Sequence, residues 1–260
     1  MKHKLLLLLM LVILSALMTS ATIAQDVPTY RVAVIRWDPA DIYFNGVQLG
    51  QELERQRIME EEGVNIEFTV FGANDVSEQI TALQAQLARG VDGVLLVPWR
   101  GEAMIPMVEE INAAGIPIVV SNALVPDAPS TFVSFDNVEA GQLAGEAIVN
   151  YLNEMRGEDW PTKGGVIIEL RCIITASFDI GRHTGYRSVL DPIVEANPDL
   201  VIEEREAGCD GAAARRAVDD IMSRYGPENV VAVASIDGTM GIGGAVPAFA
   251  AQGVLYPPDD

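Results

Sequence analysis

Residues 90–121, GVDGVLLVPWRGEAMIPMVEEINAAGIPIVVS, contain a complete strand–helix–strand unit and decide the fold class. The apolar run at 93–97 is followed by an amphipathic stretch, 102–114, whose apolar residues lie three and four apart, which predicts a helix. Gly115 follows that helix at the position where a residue without Cβ is favoured, and a second apolar run begins at 117. This order predicts two parallel strands joined by a right-handed crossover helix.

The same alternation continues over most of the chain. Apolar runs rich in β-branched residues predict strands at 31–36, 66–71, 93–97, 117–121, 131–135, 165–170, 200–205 and 230–235. Amphipathic stretches predict helices at 46–61, 76–88, 102–114, 138–155, 182–196, 212–225 and 240–251. Because nearly continuous apolar runs are typical of strands buried on both faces, we predict an α/β fold with open parallel sheets.

A cluster of turn-forming residues at 126–130, PDAPS, interrupts the alternation. Here one predicted strand follows another with no helix between them, and the alternation resumes after Asp136. We therefore expect the chain to cross between two α/β lobes near residues 134–136. This gives an N-terminal lobe of residues 25–134 and a C-terminal lobe of residues 135–260.

Residues 1–24 have the organisation of a secretory signal peptide. A basic start is followed by an apolar run and then by small residues that end at Ala21 or Ala24. The apolar stretch from Leu5 to Met18 is shorter than the roughly 20 residues needed to span a bilayer. We therefore expect a cleaved leader and export to the periplasm or cell envelope. Such a compartment lacks ATP and nicotinamide pools, so we expect no cofactor.

The charge of the chain excludes some partners. With 17 basic and 37 acidic residues, the formal net charge is −20. Phosphates would be repelled, which disfavours nucleic acid and anionic lipid as partners. Acidity of this size keeps an abundant exported protein soluble.

The chain has two cysteines, Cys172 and Cys209, and each follows the end of one of two consecutive predicted strands. In an oxidising compartment, and because the ends of neighbouring parallel strands lie close together, we expect a disulfide between them. Two separate buried thiols are the alternative. With His3 and His183 the only histidines, we expect no metal site.

Residues just after the strands are the first candidates for ligand binding, because ligands of open parallel sheets lie beyond the carboxyl ends of the strands. After the first strand come Asp41, Tyr43 and Phe44. Aromatic faces suit the C–H face of a sugar, and carboxylates accept hydrogen bonds from hydroxyl groups. The alternative is that Asp41 caps the following helix while both rings pack in the core.

Other predicted strand ends supply further polar residues: Arg100, Asn122, Arg182 and Asp237. Arginine, asparagine and aspartate together provide donors and acceptors for a ligand with many hydroxyl groups. Asn122 and Asp237 have alternative roles in turn formation and N-capping. The tryptophan beside Arg100, Trp99, is equally typical of a lid over a core.

Catalysis has little support in the sequence. The nucleophile elbow Gly-x-Ser-x-Gly does not occur, and the glycine-rich stretch 238–244 lacks the lysine or acid of a nucleotide fingerprint. A glycosidase needs two opposed carboxylates, and so acidic a chain can always supply a pair. We predict a binding protein rather than an enzyme, with an exported carbohydrate-active enzyme as an alternative.

In its sequence motifs the chain resembles the type I periplasmic substrate-binding proteins of sugar ABC importers, the ribose- and galactose-binding group. The resemblance runs from about Tyr30 to the last residue. Its markers, in chain order, are 90–98 (GVDGVLLVP), 114–119 (AGIPIV), Phe135-Asp136-Asn137 with Ala140-Gly141, Arg182-x-x-Gly185-Tyr186, and Asp237 with Gly241.

The resemblance implies roles for particular residues. The family's first loop, often Asn-Pro-Phe-Phe, matches residues 41–44, which implies that Tyr43 and Phe44 stack on a sugar ring and that Asp41 bonds its hydroxyls. Asn122 stands where relatives often have aspartate. This chain therefore has aspartate at 41 where relatives often have asparagine, and asparagine at 122 where they often have aspartate. The two differences leave the preferred sugar undefined.

The resemblance also implies roles in the second lobe. Arg182 matches an arginine that contacts ligand in some branches of the family and is structural in others. Asp237 matches a ligand-binding carboxylate.

The resemblance implies a monomer whose two lobes close on a monosaccharide or similar polyol, for delivery to an ABC permease or recognition by a chemoreceptor. A nucleoside or a signalling molecule remains an alternative ligand. A transcription regulator of the same fold would need a DNA-binding unit where this chain has its leader.

Relatives continue beyond the point that matches residue 260 with another strand and further helices. We therefore expect a C-terminally truncated form in which both lobes are incomplete.

Overall fold

The structure, a computed structural model, describes residues 27–37 and 42–253. The predicted signal peptide and the candidate ligand residue Asp41 lie outside the described residues. Among the helices that are described, none is both long and apolar enough to cross a membrane.

Within residues 27–37 and 42–253, the first sheet contains five parallel strands in the order β2-β1-β3-β4-β5. Its elements are β1 (Thr29–Arg36), α1 (Ile42–Glu62), β2 (Asn65–Gly72), α2 (Val76–Arg89), β3 (Gly93–Leu96), α3 (Gly101–Ala113), β4 (Ile118–Ser121) and β5 (Thr131–Val133). The core beneath α2 and α3 is apolar, with Leu83, Met104 and Ile111 fully buried.

In the described part of the chain, the second sheet contains three parallel strands in the order β7-β6-β8. Its elements are α4 (Asn137–Arg156), β6 (Gly165–Arg171), α5 (Ser177–Ala196), β7 (Leu200–Glu206), α6 (Gly211–Tyr225), β8 (Val230–Ser235), α7 (Gly238–Met240) and α8 (Val246–Ala251), with short 3-10 turns at Trp160–Lys163 and Pro227–Asn229. Two parallel-sheet lobes in the predicted order confirm the predicted α/β fold class.

Some boundaries differ from the prediction. α1 begins at Ile42 and α5 at Ser177, each one turn or more before the predicted start. Gly181 therefore lies inside α5. A larger residue would not fit at this position, because its Cβ would lie 2.7 Å from the Cβ of Asn137 on α4. β5 ends at Val133, and the predicted last helix is interrupted by a π-helical turn at Gly241–Ala245.

Helices α4 and α5 cross with their backbones in close contact. A Cβ on Gly185 would overlap the backbone of Val138 and Gln142, and a Cβ on Gly141 would overlap the carbonyl group of Arg182. The two backbones therefore touch, with glycine on both sides of the contact. Such an approach is available only to residues without a side chain.

A disulfide joins the β6 end to the loop after β7. Cys172 and Cys209 are bonded, with their Cα atoms 4.4 Å apart. The bridge closes a sequence separation of 37 residues and ties the ends of two neighbouring strands at the edge of the sheet that faces the N-terminal lobe.

We predict that Gly185→Ala lowers the free energy of unfolding by about 1–3 kcal/mol, because the new Cβ must push α4 and α5 apart. Gly50→Ala is the matched control, since a Cβ at this helical position meets nothing within 4 Å. That control should raise stability by about 0.5–1 kcal/mol. Urea denaturation of the full chain measures both; equal effects of the two substitutions would contradict the close crossing.

We also predict that replacing both Cys172 and Cys209 by serine lowers the free energy of unfolding by about 3–4 kcal/mol. This is the chain entropy that a bridge over this separation removes from the unfolded state. The measurement is urea denaturation, with reductant added to the unmodified chain as the control. A chain whose midpoint is insensitive both to the substitutions and to reductant would argue against the bridge.

Candidate functional site

The carboxyl ends of the two sheets face each other across the lobe boundary. Trp37 follows β1, and Phe178 lies in the first turn of α5, just after the end of β6. Their ring centroids are 5.7 Å apart in an edge-to-face arrangement. A hydrogen bond from the backbone nitrogen of Leu124 to Oγ of Ser177, 3.0 Å long, also joins the lobes.

Four rings form what we call the interlobe aromatic cluster: Trp37, Phe44, Trp99 and Phe178. Trp37 stacks on Trp99 with a centroid distance of 4.4 Å and an interplanar angle of 4°. Phe44 lies 5.5 Å from Trp37. Three of the rings, those of Trp37, Phe44 and Phe178, are almost completely buried, so the lobes meet through an apolar contact.

A buried glutamine holds Trp99 in this cluster. Oε1 of Gln79 accepts a hydrogen bond of 2.9 Å from the backbone nitrogen of Trp99, and its Nε2 donates one of 2.7 Å to the carbonyl of Val97. Nε1 of Trp99 donates to the carbonyl of Ala73 over 2.8 Å. Since Gln79 has no exposed surface, its two bonds fix the turn after β3 without competition from water.

Arg182 is the central cation of the site. Its Nε donates to Oδ1 of Asn137 over 3.0 Å, and its Nη1 donates to the carbonyl of Ile236 over 2.8 Å. The guanidinium carbon lies 5.1 Å from the ring centroid of Phe135 and 5.5 Å from that of Phe178. Burial lowers the pKa of Arg182, because the charged form has lost hydration.

The same helix attaches to the end of β8 through a second residue. The hydroxyl of Tyr186 donates to the carbonyl of Ser235 over 2.8 Å. Burial raises the pKa of Tyr186 to about 12. Arg182 and Tyr186, one turn apart on α5, therefore dock the helix onto the strand end and hold the guanidinium at the cleft.

Asp237 combines a capping role with an electrostatic one. Its Oδ1 accepts a hydrogen bond of 2.8 Å from the backbone nitrogen of Met240, so it is the N-cap of α7. Its negative charge opposes the lowering of the Arg182 pKa by burial. The carboxylate thus faces the same cleft as the guanidinium.

The two aromatic candidates of the first loop have different surroundings. Tyr43 is 51% exposed, whereas Phe44 is 4% exposed and packs in the interlobe aromatic cluster. The rings of Tyr43 and Phe44 are nearly perpendicular, with centroids 5.0 Å apart. Tyr43 is also near enough to Arg182 that its charged form opposes the lowering of the Arg182 pKa by burial. The structure therefore brings Tyr43, Arg182 and Asp237 together.

Asn122 and Arg100 are less closely connected to that group. Asn122 adopts a left-handed backbone conformation with φ of 67° at the end of β4, a region that asparagine tolerates. Its backbone nitrogen donates to the carbonyl of Val133 over 3.3 Å. Arg100 is the exposed residue before α3, and its side chain makes no hydrogen bond or ion pair within the described part of the chain.

Sequence reasoning did not single out two residues that build the site. Gln79 lies on the apolar stripe of α2, and the signal in the sequence is an amide on that stripe, which Gln86 also supplies. Asn137 was part of a family marker, but no role followed from the marker. Both act through backbone or side-chain partners that are distant in sequence, so pattern alone does not reveal them.

The model of the periplasmic binding protein domain matches residues 32–258. The chain belongs to this family. This match confirms the family resemblance that the sequence motifs predicted.

Curated relatives agree with this assignment. The chain is 25% identical over 196 residues to the D-xylose-binding periplasmic protein of Escherichia coli. The aligned residues make up 74% of this chain and 56% of that protein. It is 29% identical over 119 residues to the ribose import binding protein of Bacillus subtilis. Here the aligned residues make up 45% of this chain and 36% of that protein. The matches thus span between about a third and a little over half of these relatives.

Solved structures share the fold. An ABC transporter solute-binding protein from Mycobacterium smegmatis with bound glycerol has a TM-score of 0.71 at 21% identity, covering 87% of this chain and 72% of that one. The Caulobacter myo-inositol binding protein has a TM-score of 0.71 at 20% identity, covering 86% and 71%. The relatives named here are binding proteins.

We predict that Gln79→Leu lowers the free energy of unfolding by about 1–3 kcal/mol for each of the two backbone groups that it leaves buried and unpaired. Gln84→Leu, on the exposed side of the same helix, is the control and should change stability by less than about 0.5 kcal/mol. Urea denaturation followed by tryptophan fluorescence measures both effects. Similar small effects of the two variants would show that Gln79 does not hold the Trp99 turn.

Proposed function

We propose that this chain is an exported solute-binding protein that captures a monosaccharide or similar polyol between its two lobes and delivers it to an ABC permease. The observation that carries the proposal is the meeting of both sheets' carboxyl ends at one place. There Arg182 and Asp237 lie beside the interlobe aromatic cluster and the exposed ring of Tyr43.

These groups suit a polyhydroxylated ring. Aromatic faces bind the apolar C–H face of a sugar, and the arginine fork and the carboxylate pair with its hydroxyl groups. The indole Nε1 of Trp37 is buried and has no hydrogen-bond partner among the described residues. A ligand oxygen at this position would satisfy a donor that is otherwise costly to bury.

The relatives support the same ligand class. Two curated relatives are named for xylose and ribose, and two solved neighbours contain glycerol and myo-inositol. All four are polyols or sugars of small size. The ligand proposed here belongs to that class.

Closure of the lobes supplies the mechanism. We place the lobes at residues 25–134 and 135–260, so that a ligand held by Tyr43 and by Arg182 bridges both. A ligand that bridges both lobes favours the closed state by its higher affinity for that state. Periplasmic binding proteins are among the standard examples of such hinge closure. The closed monomer would then be recognised by the permease or by a chemoreceptor.

One observation favours a second ligand class. Trp99 stacks in parallel on Trp37 and is itself only partly buried, and an indole ring is a group on which a flat heterocycle stacks, so a nucleoside is the alternative ligand for the same site. Binding without turnover is part of the proposal. If Asp237 instead served catalysis, the protein would be an exported carbohydrate-active enzyme.

We predict that isothermal titration of the full chain against a panel of monosaccharides, polyols and nucleosides gives saturable binding to a small sugar or polyol. Arg182→Gln should weaken that binding at least about tenfold, since hydrogen bonds to charged groups contribute about 1.5–3 kcal/mol. Arg216→Gln removes the same charge from an exposed position of α6 and should leave the affinity unchanged. Thermal melts confirm that both variants are folded.

The outcomes separate the alternatives. If only nucleosides in the panel bind, the ligand of this protein is a nucleoside and not a sugar. Release of product from a sugar substrate, abolished by Asp237→Asn, would assign the protein to the enzymes. If no compound in the panel gives heat or a thermal shift with the folded chain, the proposed function is wrong.

A further inference from the structure

A row of charged side chains lies between one face of α5 and the second sheet. We call it the α5 charge ladder. Its members are Asp179, His183, Arg187 and Asp191 of α5, Glu169 and Arg171 of β6, and Glu204 of β7. The four helical members are spaced by four residues, which places them on one face of the helix.

The ladder has two well-paired ends. Arg171 forms an ion pair with the fully buried Asp179, and its Nη1 lies 2.9 Å from Oε1 of Glu204. At the other end, Nε of Arg187 lies 2.6 Å from Asp191, and Nη1 of Arg187 lies 3.6 Å from Oε2 of Glu169. Each guanidinium thus stands between two carboxylates.

The middle of the ladder lacks a matching positive charge. His183 lies between two carboxylates, with its Nδ1 2.8 Å from Oε1 of Glu169 and 3.9 Å from Oε2 of Glu204. Glu169 and Glu204 are direct partners in the β6–β7 register, an arrangement of like charges that costs stability. With neutral His183, the ladder's four carboxylates face two guanidinium groups and leave two negative charges uncompensated.

Glu169 is the member with the poorest compensation. It is 1% exposed, and its Oε2 accepts no hydrogen bond within the part of the chain that the structure describes. Burial raises the pKa of Glu169, against the lowering effect of His183. The guanidinium of Arg187 approaches that oxygen only to 3.6 Å. A buried carboxylate with one oxygen outside hydrogen-bond distance of a donor is costly unless a cation comes closer.

From this arrangement we infer that Glu169, His183 and Glu204 bind one divalent metal ion, with Zn²⁺ the best match. One ring nitrogen of the histidine and one oxygen of each glutamate lie within 4.8 Å of one another. Tetrahedral zinc, with bonds of about 2.0–2.2 Å, needs donors roughly 3.3 Å apart. Nδ1 of His183 lies 2.8 and 3.9 Å from the two carboxylates, so each of these distances would change by roughly 0.5 Å on binding.

One nitrogen and two carboxylate oxygens favour a borderline ion over Ca²⁺ or Mg²⁺, which prefer oxygen ligands alone. Binding through Nδ1 of His183 requires its proton to reside on Nε2. Arg171 and Arg187 would then act as outer groups that orient the glutamates. The ion can enter from solvent, because the side chains of His183 and Glu204 are 28% and 42% exposed and β7 is the edge strand.

The sequence predicted no metal site because one histidine in residues 25–260 forms no ligand motif. The two other ligands come from neighbouring strands, and only the β6–β7 register brings them to the histidine. The inference is independent of the sugar-binding proposal, since the ladder occupies a different face of α5 from Arg182.

The test is isothermal titration of Zn²⁺ into the full chain, prepared without an affinity tag and stripped with a chelator. His3→Gln is present in every sample so that His183 is the sole histidine. We expect a saturable 1:1 isotherm and a higher melting temperature with Zn²⁺. His183→Gln and Glu204→Gln should each weaken binding about tenfold or more.

Glu206→Gln is the matched control, because it removes the same charge from an exposed position two residues along the same face of β7. It should bind Zn²⁺ with unchanged affinity. Melts of the metal-free variants establish that each is folded. Absence of saturable binding, or equal affinity in the folded His183→Gln variant, would overturn the inference, whatever the outcome of the sugar titration.

Discussion

The close crossing of α4 and α5 is the constraint on which the C-terminal half of the site depends. Glycines at 141 and 185 allow the two backbones to touch, and this contact brings Asn137 of α4 within hydrogen-bond distance of Arg182 of α5. With larger residues at the crossing, the helices would separate and the guanidinium would lose a partner that orients it. The position of the central cation is therefore set by backbone packing rather than by a local motif.

A second constraint comes from the parallel sheets. Because all strands within each sheet point the same way, their carboxyl ends form one edge per lobe, and the two edges meet at the interlobe aromatic cluster. Trp37 is held there by Trp99 and Phe178, and Trp99 is held by the amide of Gln79. The result is an apolar contact surface with polar groups beside it, which suits ligands that have both an apolar face and hydroxyl groups.

Most of the fold could be predicted from the sequence because most strands contain an apolar run and most helices have an apolar stripe. It placed the starts of α1 and α5 too late, since their first turns carry residues such as Phe44 and Phe178 that pack against the other lobe rather than along the helix. Strand-end reasoning selected Tyr43, Arg182 and Asp237. It could not find the role of Gln79 or the α5 charge ladder, because these depend on a buried carbonyl and on strand register.

A ligand held between the lobes should couple their movements. The most direct measurement is the distance between spin labels on Thr81→Cys in α2 and Ser223→Cys in α6, both exposed positions, by pulsed electron resonance. The native cysteines are joined to each other and do not take up the label. We predict a shorter and narrower distance distribution when a sugar that binds is added to saturation. An unchanged distribution at saturation would contradict it.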